Sequence, residues 1–270
     1  MDEDISYRPL IDDMEWSHSR ITAYESCPYR FYLRYIKFPR DKYEGKEHFF
    51  SSYGKFMHEL IRLYRTGEKT KEQLIVEYLS KFRETITAPA PNAKVFSTYF
   101  ADGLMYLQNM EPSENEIIST ETKLRFDFRG KRFVGYIDSL ERKPDGSLVI
   151  VDDKSRNLKP RSKRSKPTKT DIELDEYLRQ LYMYSLFLID EFGEMPGSLC
   201  FNCFRTQTMI EEKFWLDELE DTLEWIVVRT REIINTSEFE PDLEWYKCKY
   251  ICEMQDVCSY FEIMEDTNWR

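Results

Sequence analysis

Gly135-Tyr136-Ile137-Asp138, followed fourteen residues on by Asp152-Asp153-Lys154, decides the reading of this chain. Between the two acids lie a hairpin signal, Pro144-Asp145-Gly146, and an apolar run, Leu148-Val149-Ile150-Val151, that reads as a buried strand. Asp138 is therefore expected at the end of one strand and Asp152 at the end of its neighbour. Two carboxylates held close together repel unless a cation neutralises them, so the pair points to a divalent metal site. Lys154, two residues after Asp152 on a strand, faces the same side and reaches the same centre. Carboxylate, carboxylate and lysine around a metal suit hydrolysis of a phosphodiester.

The chain is long enough for one large domain or for one domain with a helical elaboration: 270 residues, 41% hydrophobic and 15% aromatic, ample for a core. The start, Met1-Asp2-Glu3-Asp4, is acidic and lacks a signal-peptide pattern. No apolar run approaches the ~20 residues of a membrane span; the best lies over 182–189. The expectation is a soluble, cytoplasmic protein without a membrane partner.

The net charge of −11 argues superficially against nucleic acid, but distribution matters more than the total. Over 154–169 stand Lys154, Arg156, Lys159, Arg161, Lys163, Arg164, Lys166 and Lys169 with no acid among them, and with Pro160, Pro167 and several serines. The composition predicts a mobile loop, and a solvated linker is its bland reading. Its departure from the proposed active strand directly after Lys154 places it to hold the phosphates of an incoming strand.

Periodicity predicts a largely helical part over 1–115. Ser17 or Ser19 caps a short helix, Pro28 opens the next, and further helices fall over 52–64, 71–82 and 93–109. Strand character runs over 116–143, turning at Arg129-Gly130 and again at Asp145-Gly146. A helix over 171–190, strands over 199–205 and 209–214, and an amphipathic helix over 217–234 follow. The whole reads as a single mixed α/β domain over 1–270: helical part, catalytic α/β core over 116–240, and a cysteine-bearing segment over 241–270.

His58 lies in a helix, where a lone histidine is more often structural than a ligand. Gln180 and Tyr184 are four apart on a helix and so share a face, from which an amide and a phenol can orient Lys154 or a phosphate. In chain order, His58, Gly135-x-x-Asp138, Asp152-x-Lys154 and Gln180-x-x-x-Tyr184 resemble the RecB-like branch of the PD-(D/E)XK nuclease superfamily. The resemblance implies a restriction-endonuclease-like core, a central mixed sheet flanked by helices. It implies Mg²⁺ or Mn²⁺ on His58, Asp138, Asp152 and the backbone carbonyl of Asp153, with Lys154 positioning the attacking water and Gln180 and Tyr184 supporting the site. Ser155 stands where that family often has threonine. Glu121 matches an acid often found upstream, and a surface carboxylate is an equally good reading of it.

Cys248, Cys252 and Cys258 cluster within eleven residues, which in an intracellular chain favours a metal or cluster over disulfides. Cys27 is the best candidate for a fourth ligand. One early cysteine and three late ones are similar to the iron–sulfur RecB-type nucleases, among them the AddB nuclease domain and the CRISPR-associated exonucleases. The resemblance implies a structural [4Fe–4S] cluster closing the C-terminal segment onto the N-terminal helices. The spacing here is C-x₃-C-x₅-C instead of the usual C-x₂-C-x₅-C, and a four-thiolate zinc site is the alternative. Cys200 and Cys203, three apart on a predicted strand, face opposite sides and read as ordinary buried cysteines. The expected function is a metal-dependent DNA nuclease, an exonuclease on single strands or DNA ends, with helicase, recombination or CRISPR-adaptation proteins as partners. The alternative is a catalytically silent DNA- or partner-binding module of the same fold.

Overall fold

The computed structural model describes residues 7–266; the acidic Met1-Asp2-Glu3-Asp4 start lies outside them. Two tight turns begin the sheet. Arg129 and Gly130, both left-handed at φ 47° and 73°, make the two-residue turn that suits right-twisted strands. They join β1 (Glu116–Phe128) to β2 (Lys131–Arg142). Gly146, at φ 89°, then turns the chain into β3 (Leu148–Lys154), with the Asp145 carboxylate accepting from the Ser147 amide at 2.9 Å.

β3 pairs in parallel with β4 (Ser198–Cys203), a geometry that no tight turn can produce. The long helix Lys169–Phe192 makes the crossover, capped by Thr168 and ended by Gly193 at φ 67°. β5 (Thr208–Lys213) returns antiparallel to β4. Among the described residues the strands form one five-stranded mixed sheet in the order β1-β2-β3-β4-β5, the α/β architecture expected from the sequence.

The helices, in chain order, are α1 (Arg8–Asp12), α2 (His18–Ser26), α3 (Pro28–Phe31), α4 (Phe49–Arg65), α5 (Lys71–Thr85), α6 (Ala93–Asn109), α7 (Lys169–Phe192), α8 (Leu216–Asn235), α9 (Trp245–Tyr250) and α10 (Ser259–Asp266). α3 continues into a π-helical turn, Tyr32–Lys37. One face of the sheet presents Leu148, Ile150, Leu199 and Phe201 to Leu178 and Leu181 of α7, in a core that also takes Trp16, Ile21 and Phe31. Each of these large side chains contributes ~1.5–3 kcal/mol by leaving water. A second core packs α4 against α5 and α6 through Tyr53, Phe56, Leu60, Tyr78, Phe82 and Leu107.

Two expectations need correction. Asp138 is not at a strand end, since β2 continues to Arg142; it lies just beyond the last β2–β3 pair, Ser139 with Val151, where the two strands part. The basic segment after Lys154 is not a loose loop. Leu158 is buried in the main core, and Arg161 pairs with Asp175 of α7 at 2.6 Å and Glu212 of β5 at 3.1 Å. Composition carried the signal for mobility, whereas carboxylates distant in sequence supply the anchors.

Candidate metal centre and cysteine cluster

The parting of β2 and β3 leaves Asp138 and Asp152 on the same side of the sheet, both nearly buried. α7 crosses close by because Gly135 lets it: a β-carbon at 135 would overlap the Tyr184 ring. With Tyr184 seated there, Gln180 falls one turn earlier, directly over the end of β3. A line of polar contacts results. Lys154 Nζ is 2.7 Å from Asp152 Oδ2 and donates to Gln180 Oε1 at 3.0 Å, and Gln180 Nε2 donates to the Tyr184 hydroxyl at 3.0 Å. Burial opposes the charged form of Lys154, but the Asp152 carboxylate more than offsets it, and the pKa is raised. The ammonium is therefore a fixed positive charge.

α4 brings the histidine. His58 Nδ1 stands 3.5 Å from Asp138 Oδ1, while the other Asp138 oxygen accepts from the Asp153 amide at 2.7 Å. Burial works against the imidazolium, but the hydrogen bond to Asp138 and the surrounding carboxylates push the His58 pKa up to about 9. Asp152 is pushed up to about 6, chiefly by burial and against the pull of Lys154. Its Oδ2 is answered by the Lys154 ammonium.

Among the described residues, the side chains of His58, Asp138 and Asp153 can offer ligand atoms within 4.8 Å of one another. Asp153 had been expected to contribute its backbone carbonyl; its carboxylate is committed elsewhere. Arg65 holds it through two hydrogen bonds of 2.5 and 2.9 Å, and Asn202 donates to it at 2.7 Å. Asp152, outside that group, faces Asp138 and is paired with Lys154. Carboxylate oxygens with one imidazole make a largely oxygen donor set that could hold a divalent cation.

Sequence reasoning missed Arg65, Asn202 and Tyr106, whose hydroxyl lies 2.6 Å from Asn202 Nδ2. Arg65 stands seven residues after His58, hence on the same helix face, and that spacing was the available signal. Glu121 was noticed without a firm role. It lies across from Asp138, between the pairs Thr120–Ser139 and Thr122–Ile137, with a left-handed backbone at φ 49°. Burial, then the charge of Asp138, raise its pKa.

Cys27, Cys248, Cys252 and Cys258 come together around a single small cavity of about 50 Å³. Cys27 caps α3, its sulfur accepting from the amides of Arg30 at 3.4 Å and Asp242 at 3.3 Å. Burial pushes the Cys252 thiol up to about 12, against a backbone hydrogen bond at Met254 that favours the thiolate. The two chain segments are also tied by Arg30 and Glu253 at 2.8 Å and by His48 Nε2 and the Cys252 carbonyl at 2.9 Å. Cys200 packs with Val149 and Val151 on one face of β4, while Cys203 enters the core on the other.

A mixed sheet carrying two acids and a lysine where β2 and β3 part, with a histidine from a preceding helix, is the architecture of a metal-assisted phosphodiesterase. The chain belongs to the PD-(D/E)XK nuclease superfamily, whose family model matches residues 15–259. Its structure is similar to the crystal structure of a candidate exonuclease from Eubacterium rectale, at 14% identity and a TM-score of 0.51, over 100% of this chain and 98% of that one. At that identity the likeness is one of fold. The crystal structure of SSO0001 is 18% identical over 78% of this chain and 95% of its own, but its TM-score of 0.33 carries no argument. No curated protein matches the chain. Among the described residues, no helix is long and apolar enough to cross a membrane.

Proposed function

We propose that this protein is a Mg²⁺- or Mn²⁺-dependent deoxyribonuclease, an exonuclease acting on single strands or DNA ends. The observation that carries this reading is the continuous contact line Asp152–Lys154–Gln180–Tyr184 beside the His58–Asp138 pair. His58, Asp138 and Asp152 would hold the cation, whose charge would answer two buried carboxylates that have, among the described residues, only Lys154 and His58 as cationic neighbours. When bound, the cation supplies positive charge at the scissile phosphate and makes a water easier to deprotonate. Lys154, kept charged by Asp152, is suited to orient that water or to stabilise negative charge building on the phosphate, and unsuited to act as a base near neutral pH. Gln180 fixes the ammonium, and Tyr184 fixes Gln180. Two acids and the lysine, all intact, favour the catalytic reading over a silent binding module.

The four cysteines are read as ligands of a structural [4Fe–4S] cluster. Their side chains line a common cavity, and one early and three late cysteines follow the order of the iron–sulfur RecB-type nucleases that the sequence resembles. The cluster would tie α3 to the segment that follows α8. The test of the activity is incubation with end-labelled single- and double-stranded DNA and Mn²⁺, beside an Asp152→Ala control. Shortening by the native protein and none by the variant is expected; equal traces from both would overturn the reading.

A further inference from the structure

One carboxylate closes the segment 162–168 into a clip. Asp171, in the first turn of α7 and 3% exposed, accepts from the Ser162 amide at 2.6 Å and hydroxyl at 2.7 Å, and from the Thr168 amide at 2.6 Å and hydroxyl at 2.7 Å. The bond from the Ser162 amide, with the other three, holds Asp171 far below the usual carboxylate range, so the clip stays closed at any working pH. Both ends of the clip are thereby fixed to the start of a 24-residue helix.

The charges around the clip are sorted. Arg156 pairs with Glu173 at 2.6 Å and Arg161 with Asp175 and Glu212, so the acids of the first turns of α7 are matched by the arginines nearest them. Lys163, Arg164, Lys166 and Lys169 are exposed, and no ion pair is formed by any of them among the described residues. No acid occurs between Lys154 and Thr170 to offset them, in a chain of net charge −11. Three like charges in one short closed loop repel one another and Lys169 just beyond it, which also opposes the positive end of the helix dipole. The arrangement costs stability in the free protein and is relieved by a polyanion laid across it.

α7 gives the distance from clip to chemistry. It runs from its Thr168 cap to Gln180, which touches Lys154, about 18 Å at ~1.5 Å per residue. Phosphates along one strand of a duplex advance by ~3.4 Å each. We propose that the Asp171 clip grips the DNA backbone about five nucleotides from the bond that is cut, setting a minimum length for an efficiently held substrate. The proposal rests on the nuclease reading for its substrate, while its grip can be measured without cleavage.

The test uses the full-length protein, a 20-nucleotide DNA and a dinucleotide. Binding of the 20-mer is titrated with salt in the absence of divalent metal, and cleavage of both substrates is then timed with Mn²⁺. Lys163→Ala/Arg164→Ala/Lys166→Ala should flatten the slope of log K against log[salt] by about 2–3, at ~0.7–0.9 per lost phosphate contact. Its loss of cleavage rate should be at least tenfold greater on the 20-mer than on the dinucleotide. Asp171→Asn, which keeps every cation but loosens the clip, should weaken 20-mer binding as well. An unchanged salt slope overturns the proposal, and so does an equal loss on both substrates, since that marks a purely structural role. If the native protein cleaves neither substrate yet shows the salt-slope difference, the grip stands and the nuclease reading fails.

Discussion

Tyr184 lies against the backbone of Gly135 so closely that even a methyl group at 135 would overlap its ring. The contact sets the height of α7 over β2, and with it the place of Gln180 above Lys154. Gly135→Ala should cost ~1–3 kcal/mol of stability by overpacking and lower cleavage as well. Adding Tyr184→Leu should recover stability but not activity, since Gln180 then loses its hydroxyl partner. Thermal unfolding beside a cleavage assay separates the two effects; recovery of both would show that Tyr184 serves only as packing.

Asp138→Ala and Asp152→Ala should each reduce cleavage to background with the fold retained, because each removes a proposed cation ligand. Lys154→Ala should cost on the order of 10²–10³ in rate, as for other preorganised charges that stabilise a transition state. Circular dichroism checks the fold and single-turnover cleavage the rate. Full activity of Lys154→Ala with both Mg²⁺ and Mn²⁺ would remove the lysine from the mechanism.

Without metal, the site favours protons. His58, raised to about 9, stabilises the fold fully below its unfolded pKa of 6.5, and that contribution is lost as pH rises through 9. Asp152, raised to about 6, likewise contributes stability below 3.8 that is lost as pH rises through 6. Metal-free protein should therefore lose thermal stability as pH climbs from 4 towards 9, with Mn²⁺ restoring more at each step because binding displaces the His58 proton. Melting curves with chelator and with Mn²⁺ test this. A metal-induced gain in melting temperature that does not grow between pH 6.5 and 9 would exclude His58 as a ligand.

Arg65 and Asp153 form a buried pair, 12% and 2% exposed at their side chains. Arg65→Met strands the Asp153 carboxylate and should cost ~3–5 kcal/mol, whereas Arg65→Met/Asp153→Leu should return most of it. A double-mutant cycle by urea unfolding measures the coupling. Additive losses would mean that Asn202 alone satisfies Asp153.

Protein purified without oxygen should be brown and carry about four irons per chain, as a [4Fe–4S] cluster requires. Cys27→Ser, Cys248→Ser, Cys252→Ser and Cys258→Ser should each bleach it and lower the melting temperature. Cys200→Ser and Cys203→Ser should leave the colour intact, since their sulfurs lie on opposite faces of β4. Colourless protein with a single zinc would replace the cluster but keep the tie between the termini. Iron retained after Cys27→Ser would remove Cys27 from the ligand set.

What the sequence by itself determined is local. Gly130 and Gly146 punctuate the strands because turn chemistry acts over a few residues, and Asn92 caps a helix predicted over its full span because a cap reaches only to the third residue beyond. The ordered set His58, Asp138, Asp152, Lys154, Gln180 and Tyr184 was legible for a related reason: each falls at a fixed place within its own strand or helix. The structure then placed these groups in two contacting sets. What only the tertiary structure decided is which charge answers which. The Asp153 carboxylate is the partner of Arg65, 88 residues earlier, and Asp171 turned a presumed mobile loop into a closed clip. An ion pair depends on separations of a few ångströms between side chains brought together by packing, and no periodicity along the chain records them. The cysteines stand between these limits. The clustering of three near one end could be read directly, but the gathering of all four around one cavity was set by how the last helices fold back onto α3.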